Sequence, residues 1–224
     1  MKSTTLNIFI FSFIVSTFTA NTKAEDWPQW RGSNRDGISK ENNLLKEWPK
    51  AGPPLTWKVK GLGIGFSSIA VLKGKLYTLG DLKDGSYTIA LDEKNGDIIW
   101  KTRIGDSGGH RGYPGTRSTP TVDNDQVFAL NQHSDLVCLD AETGKLIWQK
   151  NLVDDFGGKM MSGWKYSESP LVDKDQVICT PGGKDGTLLA LNRSTGEKIW
   201  QTKEWTDSAA YSSIVIATIQ GTRQ

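Results

Sequence analysis

The sequence predicts an all-β fold, a β-propeller of four-stranded antiparallel blades, on three observations. LDEKNGDIIW (residues 91–100), LDAETGKLIW (139–148) and LNRSTGEKIW (191–200) are near-copies, and their tryptophans, Trp100, Trp148 and Trp200, recur at spacings of 48 and 52 residues. Between those copies the chain reads as short runs that alternate with period two, such as QVFAL, LVCLD and KLIWQ, separated by turn residues. No helical stripe of useful length occurs, and the composition is rich in Gly and Trp. Self-similarity at this period marks a repeat architecture. A repeat of four short strands is a propeller blade.

The first element stands outside the fold. Lys2 precedes an apolar and hydroxyl run, Leu6 to Ala20, too short for a membrane span of roughly 20 apolar residues. Small residues then flank a cleavage point after Ala24. Residues 1–24 therefore read as a secretory signal peptide, which directs the mature chain to the periplasm or the cell exterior. No Cys follows the run, so no lipid anchor is expected. Residues 25–54 are an extended N-terminal segment, and residues 55–224 a partial propeller. Within it Leu55 to Val59 is expected as a lone outer strand carrying Trp57. Three blades follow, at about Phe66–Ile104, Arg117–Leu152 and Tyr166–Glu204, and Ser212 to Thr218 begins another inner strand. That is an incomplete ring, about three blades with an orphan strand at each end, as in the N-terminal portion of a longer protein.

Each blade has the same turn before its last strand. In the second, Asp140 offers a carboxylate to backbone N–H groups, and Gly144 supplies the positive φ of a bulged hairpin. Asp92, Asn95 and Gly96 repeat the device, as do Asn192, Thr195 and Gly196. Each Trp lies four residues beyond the glycine, and ten residues before it stands a small residue: Ala90, Cys138 or Ala190. A broad flat ring needs such a neighbour, so Cys138 fills a packing slot.

The pattern A-x-D-x-x-[TN]-G-x-x-x-W resembles the tryptophan-docking motif of pyrroloquinoline-quinone-type (PQQ-like) β-propellers. The opening DWPQWRGSNRDG (26–37) is similar to the start of exported bacterial proteins of that kind. The resemblance implies that each Trp stacks between the small residue of its own motif and a glycine peptide of a neighbouring blade. The docking residues would be Ala90, Gly96 and Trp100; Cys138, Gly144 and Trp148; and Ala190, Gly196 and Trp200.

Binding groups are expected on the rim that carries the blade-to-blade links, because its loops are the longer ones. GDSGGHRGYPGT (105–116) holds His110, Arg111 and Tyr113, with Arg117 just beyond. VDDFGGKMMSGWK (153–165) holds Trp164, with Tyr166 and Glu168 following. His110 offers a general base or a ligand, the arginines a grip on an anion, and the aromatic cluster a stacking or contact surface. His133 sits in a tight turn and is expected exposed. Asp123 with Asp125, and Asp173 with Asp175, fall in V-D-x-D-Q-V and read as hairpin turns rather than metal ligands.

A formal charge of +2 with both signs interspersed gives no case for nucleic acid. Two cysteines, Cys138 and Cys179, make no disulfide framework and no metal spacing, and read as buried thiols. The leading functional expectation is a binding or scaffold module with a protein partner or small ligand on the rim, and no catalytic residues. The alternative implied by the resemblance is a quinoprotein alcohol dehydrogenase, with pyrroloquinoline quinone and calcium as cofactors. Such enzymes often carry an adjacent cysteine pair, which is missing here. A third expectation, from the aromatic content of the rim, is carbohydrate binding.

Overall fold

The computed structural model describes residues 25–42 and 44–224. The predicted signal peptide lies outside the described residues. Three four-stranded antiparallel sheets follow one another along the chain. The first comprises β1 (Ala70–Leu72), β2 (Lys75–Leu82), β3 (Gly85–Asp92) and β4 (Ile98–Gly105). A two-stranded hairpin, β5 (Gly109–His110) and β6 (Tyr113–Pro114), lies in the link that follows. The second sheet is β7 (Thr121–Asp123), β8 (Gln126–Leu130), β9 (Asp135–Asp140) and β10 (Leu146–Asn151). The third is β11 (Leu171–Asp173), β12 (Gln176–Cys179), β13 (Leu189–Asn192) and β14 (Lys198–Gln201). A last hairpin pairs β15 (Thr218–Ile219) with β16 (Thr222–Arg223). Each sheet is a meander in sequence order, as a propeller blade requires.

Period-two alternation decides which blade each side chain meets. In β8, Val127 and Ala129 join Tyr77, Leu79 and Trp100 of the first blade. Their neighbours Phe128 and Leu130 join Val177, Leu189 and Leu191 of the third. In β9, Val137 and Leu139 face one way, Leu136 and Cys138 the other. The second blade is thus apolar on both faces, so its central strands read as near-continuous hydrophobic runs.

The turn before each outer strand is built as a unit. Asp140 Oδ1 accepts the Thr143 N–H at 2.8 Å and its hydroxyl at 2.6 Å, while Gly144 N–H donates to the Asp140 carbonyl at 2.8 Å. Those hydrogen bonds hold the Asp140 carboxyl below the usual carboxylate range. Asn192 Oδ1 accepts from Ser194 and Thr195 in the same way. In the two later blades the register then slips by one residue, at Ile147 and Ile199, so that Trp148 pairs with Cys138 and Trp200 with Ala190. The same slip at Ile99 pairs Trp100 with Ala90. The bulge turns each indole onto the face of its small partner.

Two predicted end strands differ from observation. Leu55 to Val59 pairs with no strand, although its Trp57 is half-buried against the first blade. Of Ser212 to Thr218 only Thr218 enters a strand, and that strand pairs locally. Leu55 to Val59 has no strand partner among the described residues, whereas Ala217 exchanges two backbone hydrogen bonds of 2.8 Å with Gln224.

The N-terminal segment crosses the hub formed by the inner strands β1, β7 and β11. Trp27 and Val71 exchange two backbone hydrogen bonds of 2.8 Å, and Val122 N–H donates to Pro28 O at 2.8 Å. Arg35 Nη2 donates to the carbonyls of Ser169 (2.8 Å) and Pro170 (3.2 Å). One stretch of chain therefore touches all three blades. The Lys73 N–H donates to Asp26 at the β1–β2 turn. That turn places the crossing at the rim opposite the long loops, called lower here.

Candidate functional site at the upper rim

The upper rim carries the β2–β3, β8–β9 and β12–β13 turns and the links between blades. Its first link is anchored by a buried polar knot. Asp81 lies opposite Ser86 across the β2–β3 turn and accepts its hydroxyl at 2.5 Å. The other Asp81 oxygen accepts Gly108 N–H at 2.6 Å and Gln132 Nε2 at 3.0 Å. The Ser86 hydroxyl also lies 2.8 Å from the Asp106 carbonyl, its one proton shared between the two acceptors. Asp81, Ser86 and Gln132 are all buried, and Gln132 belongs to the second blade, so the knot ties two blades and the link together. In so dry a place each unmade hydrogen bond would be costly.

On that footing stands an aromatic cluster. The His110 ring stacks on Trp164 with centroids 4.6 Å apart and planes at 11°. Tyr113 stacks on the same indole at 5.0 Å and 21°. Phe66 leans on Tyr113 at 5.9 Å. Arg117 holds the two loops together: Nη1 donates to Trp164 O at 2.6 Å and Nη2 to Tyr113 O. Partial burial lowers the Arg117 pKa. Ser162 joins the Tyr211 phenol and accepts Trp164 N–H at 3.1 Å. Phe66, Tyr113, Met161, Trp164 and Tyr211 remain exposed.

The structure divides the seven rim candidates. It brings together His110, Tyr113, Arg117 and Trp164. Arg111 is exposed at the tip of the β5–β6 hairpin. Tyr166 and Glu168 do not belong to the accessible rim. Tyr166 is buried between the second and third blades, its hydroxyl donating to Pro181 O at 2.8 Å. Glu168 is 1% exposed, accepts Thr180 N–H through Oε1, and has no partner for Oε2. Burial pushes its carboxyl up to about 7, opposed by that N–H and by the Arg35 charge. Arg35, 3% exposed, is pushed down to about 10 by burial, opposed by Glu168. His133, expected exposed, is half-buried, with Nε2 3.3 Å from Ser107 O.

The docking residues lie at the lower half of the blade faces. Gly96 sits under the Trp57 ring, Gly144 under Trp100 and Gly196 under Trp148. A Cβ at Gly144 would lie 2.5 Å from the Trp100 ring, at φ +70°. Each indole N–H donates into the turn of the following blade: Trp57 to Glu93 O, Trp100 to Ala141 O and Trp148 to Arg193 O. Trp200 differs. It is 37% exposed, and its N–H returns to Gln176 of its own blade. Cys138 and Cys179 are free, buried thiols, and burial pushes Cys138 up to about 12.

Sequence reasoning missed Asp81, Ser86, Gln132 and Arg35. The first two have a faint signal, acceptor and hydroxyl at mirrored positions around a short turn. Gln132 has none. The first aspartate of each V-D-x-D-Q-V turn meets an arginine. Asp123 pairs with Arg193, which also donates to Gln126 and lies over the Phe128 ring, and Asp173 pairs with Arg223.

A family model described as "Outer membrane protein assembly factor BamB", built on PQQ-like repeats, matches residues 83–224. The chain belongs to this family. Among individual proteins, the BamB of Moranella endobia is 28% identical over 66% of this chain and 39% of its own length. Methanol dehydrogenase subunit 1 of Methylorubrum extorquens is 24% identical over 58% of this chain and 22% of its own. The quinohemoprotein alcohol dehydrogenase of Comamonas testosteroni superposes with a TM-score of 0.57 at 20% identity, over 79% of this chain and 27% of that enzyme. That last likeness concerns the fold. The chain spans well under half the length of these curated relatives. Its blades are PQQ-like repeats, and the sheets form a segment of a propeller.

Proposed function

We propose that this PQQ-like repeat chain serves as an exported binding or scaffold module, periplasmic or extracellular, which holds its partner at the upper rim. One observation carries the reading. The lower side of the hub is crossed by residues 25–35, whereas the upper rim presents Phe66, Tyr113, Trp164 and Tyr211 on a frame fixed by Arg117 and the Asp81 knot. Exposed aromatics on rigid loops are what a binding surface needs, because little ordering entropy remains to be lost. The likeness to assembly factors named BamB agrees with a binding role.

The enzyme relatives supply the second reading, a quinoprotein dehydrogenase, although this chain spans only 22% of the length of one such enzyme. Among the described residues no group of three or more His, Cys, Asp or Glu gathers to hold a metal. The two cysteines lie apart in the second and third blades.

The test uses the full-length secreted protein. A photo-crosslinking residue in place of Arg111 should capture a partner from the native envelope, and one in place of Lys94 on the lower rim should not. Titration with pyrroloquinoline quinone and calcium should leave no stoichiometric chromophore. Stoichiometric quinone with alcohol-dependent dye reduction would replace the scaffold reading with the enzymatic one.

A further inference from the structure

The three stacked rings at the upper rim are not a sandwich. His110 and Tyr113 each lie close to parallel with Trp164, yet their own centroids are only 6.1 Å apart. Were the indole between them, two contact distances of about 3.5 Å would hold them at least roughly 7 Å apart. Both rings therefore lie against the same face of Trp164, and neither covers the opposite face. Its exposure agrees: Trp164 is 44% accessible although one side is covered.

We infer that the opposite indole face is a stacking platform for a pyranose ring, and that the ligand class at this rim is a glycan. The inference rests on the upper rim being the binding face. A pyranose has a flat C–H face and an edge of hydroxyls. The C–H face loses little on leaving water and meets the electron-rich indole face, while the hydroxyls need polar neighbours. Those neighbours are at hand. Ser162 accepts the Trp164 backbone N–H and bonds the Tyr211 hydroxyl, and Arg111 is exposed in the hairpin whose His110 ring backs the indole. A greasy side chain would instead call for a concave apolar pocket. The platform is also held still. Arg117 grips the Trp164 carbonyl, and Ser162 accepts its N–H. A ring fixed before binding keeps the entropy cost low. One such stack covers little area, so single oligosaccharides bind weakly, with Kd about millimolar, and longer chains gain by repeated attachment.

The experiment titrates the full-length protein with cellohexaose, maltohexaose and chitohexaose by calorimetry. At least one should bind. Trp164→Ala should weaken that binding at least tenfold with an unchanged melting temperature, and Trp164→Phe should recover some of it. Should a melting shift accompany Trp164→Ala, His110→Ala serves as the second variant, expected to weaken binding severalfold by releasing the backing ring. Absence of binding by all three probes, or binding indifferent to both substitutions, overturns the platform. If the sugars fail while the Arg111 crosslinker captures a protein, the glycan inference falls and the upper-rim reading stands. If the crosslinker also captures nothing, both fall.

Discussion

At the lower rim one device is built three times; at the upper rim no two loops are alike. The lower device couples a short turn, a bulge and an indole, and in the first two blades the far face of that indole is a glycine of the next blade. The turn, the bulge and the small residue opposite the indole lie close together along the chain, and Trp100 and Trp148 meet the turn of the next repeat. The upper rim is joined by contacts such as Asp81 to Gln132 and Arg117 to Trp164, which no period connects. Repetition stabilises the scaffold, and irregularity leaves room for a specific surface. Substitutions that act through stability should therefore fall on the repeated device, and those that act through binding on the irregular one.

The largest effect should come from the indoles themselves, where the molecule contains its own control. Trp148 is 7% exposed between Cys138 and Gly196, whereas Trp200 is 37% exposed with no glycine over it. Trp148→Ala should cost about 3–5 kcal/mol in urea unfolding, and Trp200→Ala about 1 kcal/mol or less. Equal losses would show that cross-strand packing on the small residue, not cover by the next blade, supplies the stability. Gly144→Ala probes the same contact from the other side, forcing a Cβ against Trp100 at a left-handed φ. It should cost more than about 1 kcal/mol.

Between the rims lies the hub, where the effect depends on pH. Burial holds Glu168 at about 7, above its ordinary 4.5. The folded chain thus binds a proton more tightly than the unfolded one. Stability from this group is full below about pH 4.5, falls as pH rises through the window to about 7, and is level above it. The whole change is about 3 kcal/mol at most. Unfolding midpoints measured from pH 4.5 to 8 should follow that slope, and Glu168→Gln should flatten it. A slope unchanged by Glu168→Gln would assign the proton elsewhere.

What can be read from sequence divides along the same line. The blades, their turns and the small-residue slot at Cys138 are legible, because each depends on neighbours close in the chain or in the adjacent repeat. The lone strand expected at Leu55–Val59 is not a strand. Its Trp57 has the right residue type and a real glycine partner, but strand pairing depends on an edge that sequence alone does not show. Tyr166 and Glu168 look like rim residues because they follow Trp164 directly. Between Lys165 (φ +71°) and β11 the chain dives from the rim toward the hub, so two residues along the sequence separate surface from core. Arg35 is invisible for a related reason: its contacts lie some 134 residues away.

Smaller effects should mark the upper rim. Gln132→Ala removes a donor to Asp81 and leaves a buried carboxylate short of a partner, at a cost of about 1–3 kcal/mol. The loss should be local, seen as faster hydrogen exchange at Gly108 and easier proteolysis between residues 105 and 116. Exchange unchanged at Gly108 would mean that Ser86 alone holds the link.

The smallest effect belongs to His110→Ala. Stacked pairs contribute about 0.5–1.5 kcal/mol beyond burial, and the His110 ring is only half-buried. Arg117 and Ser162 would still hold Trp164 by its backbone, so the global unfolding midpoint should move by less than about 1 kcal/mol. Near-ultraviolet circular dichroism should nonetheless change, because the indole loses some of its backing and gains freedom to rotate. A residue that alters the order of a surface ring while leaving stability almost untouched is arranged for presentation. If His110→Ala instead destabilises the chain as much as Trp148→Ala, the cluster belongs to the core rather than to its outward face, and the contrast between the rims dissolves.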